Sequence, residues 1–273
     1  PANDLLRNCA DGTIKFLRIA GEDPVHSFYK GSEIKNALQT VPFLVVQDVY
    51  MTETAKLADI ILPTTTYTEK EGSFTNMTRH VQKVTPATSP QNQSRTDHDI
   101  FVQLAEVFGN TLKNSSVAEV QDEISKTVPI YKGTLPGTKS RQWSPEGFKH
   151  IPCFQIPGAP QVTQRKKDFP FQLVSNNHMF HIGSYTQYAK ALTDIGPECV
   201  AELHPEDAEA LGVNDGDRIV IESSTHKVEV PMVANTVTVK GMVYLPKNWV
   251  EIPVNMLRNG EEGPVSIKIS KAN

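Results

Sequence analysis

The chain has 273 residues, of which 38% are hydrophobic and 21% charged, and its formal net charge is −4. That length buries a sizeable core and fits two domains, while the near-balanced charge argues against a nucleic-acid partner. The longest apolar runs, such as Phe43-Leu44-Val45-Val46, fall far short of the roughly 18 to 20 residues a membrane-spanning helix needs, so direct membrane insertion is not expected.

Cys9, Cys153 and Cys199 form no Cys-x-x-Cys pair, so neither an iron–sulfur cluster nor a structural zinc is encoded locally, and the three are read as reduced thiols. The sequence starts at Pro1 with no signal-peptide pattern and is read as a piece of something longer.

In chain order, Thr13 to Ala20 reads as a strand running into the loop Gly21-Glu22-Asp23-Pro24. A short helix through Ala37-Leu38 follows, with Ser32 expected as its cap and Glu33 in its first turn. Pro42 to Val49 is almost continuously apolar, as a strand buried on both faces of a parallel sheet should be. A second helix is expected over about Thr52 to Ala58, then a third strand, Asp59 to Pro63, stopped by its proline. This alternation is that of a doubly wound sheet. Thr64 to Arg79 reads as a polar loop, and Asp97 to Phe108 as a helix with Ile100, Leu104 and Val107 on one face.

From Asn110 to Asp168 scattered Pro, Gly and Lys leave one helical pattern, about Val117 to Ser125, so this stretch reads as a surface connector. Beyond it strands follow one another at Phe171 to Val174, Asp217 to Glu222, Lys227 to Val233 and Gly241 to Leu245. One helix interrupts them, His204 to Leu211, closed by Gly212. The fold class expected is an α/β parallel-sheet domain over residues 1–110, a connector over 111–168, and a mostly β, barrel-like domain with one helix over 169–273.

Two blocks carry a family resemblance. Val45 to Pro63, together with Glu69-Lys70-Glu71-Gly72-Ser73-Phe74-Thr75-Asn76 and Arg79, Val81 and Gln82, resembles the third domain of the molybdopterin oxidoreductases. His204-Pro205-Glu206-Asp207-Ala208, Leu211-Gly212-Val213, Asn214 to Asp217, Gly241 to Pro246 and Asn255-Met256-Leu257 are similar to the family's terminal dinucleotide-binding barrel. The resemblance covers roughly residues 10 to 108 and 170 to 270.

It implies that the iron–sulfur cluster and the metal-ligating residue belong to an amino-terminal part that this sequence lacks, and that these residues grip a molybdopterin guanine dinucleotide or keep the fold with none bound. No metal-ligating residue and no catalytic residue is assigned.

Asp48, expected at the carboxy end of a central parallel strand, suits ribose hydroxyls or a guanine edge, or else caps the next helix; Gln47 and Thr52 flank it. Gly21 permits close approach of a ligand beside Asp23, although Gly-Glu-Asp-Pro is equally a plain turn. By resemblance Asn76 and Asp97 lie near the nucleotide, Asp97 competing as a helix cap. His178 to Thr186 looks like the loop that wraps the pterins, which gives His181, Gly183 and Thr186, and Asn255 is a further polar candidate. Gly21, Asp48, Asn76, His181 and Thr186 are expected to share one cleft.

No nucleophile elbow, Gly-Lys-Ser loop or Gly-x-Gly-x-x-Gly occurs, so catalysis by the chain alone has no candidate residues. Two readings follow from the resemblance. One is the non-catalytic region of the large peripheral subunit of NADH-quinone oxidoreductase, respiratory complex I, in its electron-transfer arm. It is supported by the ending Pro246 to Asn255 and by Gln187 and Tyr188 where catalytically active relatives carry an Arg. The other is the dinucleotide-binding part of a molybdenum or tungsten formate dehydrogenase. Both imply as partners the chain's own amino-terminal region and other subunits of a respiratory redox complex, and a cytoplasmic location peripheral to the membrane.

Overall fold

The computed structural model describes residues 7–112, 116–134, 141–142, 167–196, 198–258 and 264–272. Most of the expected connector, Cys153 included, lies outside them. The chain divides into two compact units: residues 1–46, 50–60 and 157–273 form one, and 47–49 with 61–156 the other.

The α/β part begins with strands β1 (Leu17–Ala20), β2 (Leu44–Asp48) and β3 (Ile60–Pro63), ordered β1-β2-β3 in a parallel sheet. The bonds Asp59 N to Leu44 O and Thr64 N to Asp48 O climb β2 and β3 in the same sense, which makes that pair parallel. Every residue of β2 is buried, as its continuous apolar run predicts.

Helix α1 (Gly31–Gln39) turns Ile34 and Leu38 onto Leu44, Val46 and Val25. Its cap is not Ser32: the helix starts a residue earlier, after Lys30, whose φ of 64° breaks the chain direction there. The helix expected over Thr52 to Ala58 is only a 3-10 turn, Ala55–Leu57, begun by Thr52 Oγ1 accepting from Ala55 N at 3.1 Å. Seven residues with β-branched Thr52 and Thr54 among them nucleate a full α-helix poorly.

The second unit carries a hairpin, β4 (Gly72–Thr75) and β5 (His80–Val84), which β6 (Arg141–Gln142) extends. Much of this stretch reads as a polar loop in the sequence; instead Thr75 pairs with Val81 across a turn organised by Asn76. Helices α2 (Asp97–Val107) and α3 (Val117–Thr127) follow, capped by Thr96 and Ser116. Among the described residues this unit buries only two apolar side chains, Val81 and Ile100, so polar bonds must carry much of its order.

The terminal region is a closed six-stranded barrel of β7 (Phe171–Val174), β8 (Ala201–Leu203), β9 (Arg218–Glu222), β10 (Lys227–Ala234), β11 (Met242–Tyr244) and β12 (Val265–Lys271). Around the wall they run β10-β8-β11-β7-β12-β9, with β10–β8 and β11–β7 parallel and the other pairs antiparallel. Alternation of period two sends Ile219 and Ile221, Val228, Val230 and Met232, and Val265, Ile267 and Ile269 inward. Helix α4 (Pro205–Leu211) buries Ala208 against this core and stops at Gly212, whose φ of 65° is the left-handed conformation a side chain would strain.

Candidate functional site

In the first unit β1 ends at Ala20, and Gly21 turns the chain with a φ of 65°, nothing lying within 4 Å of where its Cβ would stand. The turn delivers Asp23, which is 3% exposed. Its Oδ1 accepts from Thr54 N at 3.0 Å and Thr54 Oγ1 at 2.6 Å, while Oδ2 is buried with no hydrogen-bond partner. Thr54 Oγ1 in turn accepts from Val25 N, which ties this loop to the one after β2. Thr52 spends its hydroxyl on its own turn.

The second half of this site is the loop after β7. A bridge between His178 and His181 forms a tight turn with Phe180 at φ 69°, and a 3-10 segment, Ser184–Tyr188, follows. Thr186 Oγ1 lies 2.6 Å from Gly183 O and 2.6 Å from His181 Nδ1. His181 is 2% exposed, its ring edge-on to Trp249 with centroids 4.2 Å apart, and its Nε2 is buried without a partner. Burial pushes its pKa below the ordinary 6.5, helped by His26 and His178 and opposed by Asn248 and Glu251.

Asn255, on the 3-10 turn Val254–Leu257, donates from Nδ2 to His26 O at 2.9 Å and Ser27 O at 3.2 Å. It also lines a cavity of about 750 Å³ with Tyr29, Lys30 and Lys247. Sequence patterning does not single out His26, yet it is 7% exposed with a partnerless buried Nε2 and acts electrostatically on His181. The one signal for it is a histidine placed in a proline-led turn three residues after Asp23.

In the second unit Gln47 is fully buried and donates to Asp97 Oδ1 at 2.6 Å. Thr64 Oγ1 donates to the same oxygen at 2.8 Å and Lys70 Nζ to Oδ2 at 2.7 Å. Partial burial pushes the Asp97 carboxyl up, but the bonds from Lys70, Thr64 and Gln47 outweigh it and hold the group below the usual carboxylate range. Asp97 is not the helix cap; Thr96 Oγ1 takes that place by accepting from Asp99 N at 3.1 Å.

Asp48 stands at the end of β2, 2% exposed, with Oδ1 accepting from Val49 N at 2.7 Å. It caps no α-helix, since none follows it directly. Asn76 is exposed and builds the hairpin turn, its Oδ1 accepting from His80 N and Thr78 Oγ1. Glu69 of the first resemblance block is spent on the Thr66 and Gln91 backbone amides. Among the described residues no group of three or more His, Cys, Asp or Glu side chains is placed to hold a metal, and no helix is long and apolar enough to cross a membrane.

The described residues thus combine a three-stranded parallel sheet with a closed six-stranded barrel, and several buried polar atoms of the first unit lack a hydrogen-bond partner. A family model described as molybdopterin oxidoreductase matches residues 2–107, and one described as molydopterin dinucleotide binding domain matches residues 171–270. The chain belongs to the molybdopterin oxidoreductase family and corresponds to the carboxy-terminal region of its large subunits.

It is 30% identical over 93% of its length to the F420-dependent formate dehydrogenase 2 subunit alpha of Methanococcus maripaludis, covering 41% of that protein. To an NADH-quinone oxidoreductase subunit of Rhizobium meliloti it is 28% identical over 97% of its length, covering 31% of that protein. The chain therefore spans well under half of these relatives. Among solved structures, acetylene hydratase from Pelobacter acetylenicus matches with a TM-score of 0.71 at 17% identity, covering 99% of this chain and 46% of that one, a likeness of fold.

Proposed function

We propose that this chain is the dinucleotide-cradling, carboxy-terminal portion of a redox large subunit and turns over no substrate by itself. The observation that carries the reading is a group of partnerless buried atoms in one unit, among them Asp23 Oδ2, His26 Nε2 and His181 Nε2. A buried polar atom without a partner costs about 1–3 kcal/mol, so several together mark a site built for a polar ligand. These residues fit a pterin dinucleotide: the Asp23 carboxylate accepts from amino and ring N–H groups, and in the adjoining cavity Arg7, Lys30 and Lys247 outnumber Glu33, which pairs with Lys30, a balance that suits an anionic ligand.

When bound, that group supplies a molybdenum or tungsten centre for two-electron chemistry. Gly21, Asp23, Thr52, His181, Gly183, Thr186 and Asn255 are the first unit's assigned cradle residues. Asp48, Gln47, Asn76 and Asp97 are the second unit's candidates, of which Asp48 is best placed, at a strand end.

Two lineages share this reading. The NADH-quinone oxidoreductase type accounts for a chain that keeps the fold without catalytic groups, and the relative from Rhizobium meliloti aligns over 97% of the chain. The formate dehydrogenase type is favoured by the retained open polar atoms, which a purely structural scaffold has no reason to keep. In either, the remainder of the large subunit and the other subunits of the redox complex are the partners, and the complex is cytoplasmic and peripheral to the membrane.

The test titrates the purified chain with the oxidised, fluorescent form of pterin guanine dinucleotide and assays it for formate and NADH turnover and for metal. Saturable binding without turnover or stoichiometric metal is expected. Absence of binding refutes the cradle, and turnover with stoichiometric metal refutes the non-catalytic assignment.

A further inference from the structure

The contacts around Thr186 fix more than the position of the His181 ring. Gly183 O can only accept, so its 2.6 Å contact with Thr186 Oγ1 requires the single hydroxyl proton of Thr186. The hydroxyl oxygen is then an acceptor toward its other neighbours, Gly183 N at 3.4 Å and His181 Nδ1 at 2.6 Å. His181 Nδ1 must carry the proton of that last bond, and in the neutral ring Nε2 is left with a lone pair. That lone pair is buried and unused, in the unit where Asp23 Oδ2, another acceptor, is also buried and unused.

We propose that Thr186 is a positioning residue that locks His181 as the Nδ1–H tautomer, so that Nε2 accepts a hydrogen bond from an N–H group on the aminopyrimidinone edge of the bound dinucleotide. The inference rests on the cradle reading above. It selects a ligand edge that donates and disfavours one that presents only acceptors, because two lone pairs would then face each other away from water. His26, whose Nε2 is also buried without a partner, stands close enough to act on His181 and disfavours a second charge there. His178 acts in the same sense and Glu251 opposes it.

Long-range proton–nitrogen NMR of the imidazole rings distinguishes the two tautomers in the unmodified chain and reports hydrogen bonding at Nε2. The probe is the oxidised fluorescent pterin guanine dinucleotide. Without it, His181 should show the Nδ1–H pattern; with it, the His181 Nε2 resonance should move toward a hydrogen-bonded acceptor.

Thr186→Val, close in shape but without the hydroxyl, should mix the tautomers and weaken probe binding by about 10-fold, a typical loss for one buried hydrogen bond. Thr186→Ser should restore both. A wild-type Nε2–H tautomer, an Nε2 resonance unmoved at saturation, or equal binding by folded Thr186→Val overturns the proposal and leaves the cradle standing. A wild-type chain that binds no probe overturns the cradle and the proposal with it. The two NMR readouts need no variant, so a poorly folded Thr186→Val does not shelter the idea.

Discussion

Removing the Asp97 carboxylate tests whether polar bonds hold the second unit together. In Asp97→Ala the fully buried Gln47 amide loses the oxygen it meets at 2.6 Å, and Thr64 Oγ1 loses the same acceptor. Losing a buried hydrogen bond to a charged acceptor costs about 1.5–3 kcal/mol, and losing a first-turn carboxylate of α2 adds about 0.3–1 kcal/mol. Lys70, with 30% of its side chain exposed, returns to water and adds little. The total is roughly 2–4 kcal/mol, enough to move a urea midpoint by about 1–2 M at ordinary m-values.

Two units need not unfold together, so the assay should be local: amide exchange along a urea series, read on peptides from β4–β5 and α2. The double variant Gln47→Leu/Asp97→Leu should recover part of the loss, because replacing both partners of the lost bond by apolar groups is close to neutral. A shift below about 0.5 kcal/mol for Asp97→Ala, the scale of a surface substitution, would refute the reasoning. So would a double variant less stable than either single one.

Two further outcomes follow. Burial pushes the Cys199 thiol up to about 12, so iodoacetamide at mildly alkaline pH should spare it in the native chain and label it in urea, and rapid native labelling of Cys199 would contradict its burial against the barrel core. For His181 the folded pKa lies below the ordinary 6.5, so its contribution to stability is full above that value and is lost as pH falls below it, where the unfolded chain takes up the proton first; His181→Phe should flatten that limb of a thermal-stability profile, and an unchanged slope would count against the assignment.

What the sequence revealed depended on how strongly each segment was patterned. Val45 and Val46 in β2, the inward alternation of β9 and β10, and the Gly212 stop of α4 were readable because burial and backbone geometry each leave a local signature. The hairpin of β4 and β5 was not, since of its nine residues only Val81 is buried and pairing alone orders the rest. Neither β8 nor β12 is among the strands read from the sequence: the first, three residues long, is too short for a period, whereas the second does alternate Val265, Ile267 and Ile269 with serine and lysine and was missed.

Within the candidate site, Asp23, Asp48 and His181 were legible as polar residues at turns and strand ends. The bonds that tie Asp23 to Thr54 and Gln47 to Asp97 were not, because the partners lie 31 and 50 residues apart. Gln47, Asp97 and Asn76 also show that a residue named by family position can be occupied by its own neighbours.

The order of strands around the barrel has a consequence for synthesis. Among the described residues β12 is the barrel strand that comes latest in sequence and the one that links β7 to β9, so the wall cannot close until residue 271 has left the ribosome. Until then β7 and β9 present unpaired edges to any passing strand, for the several seconds that translating the intervening residues takes at about 5–20 residues per second. A nascent chain stalled before Val265 should therefore be a chaperone client, and one stalled well after Lys271 should not.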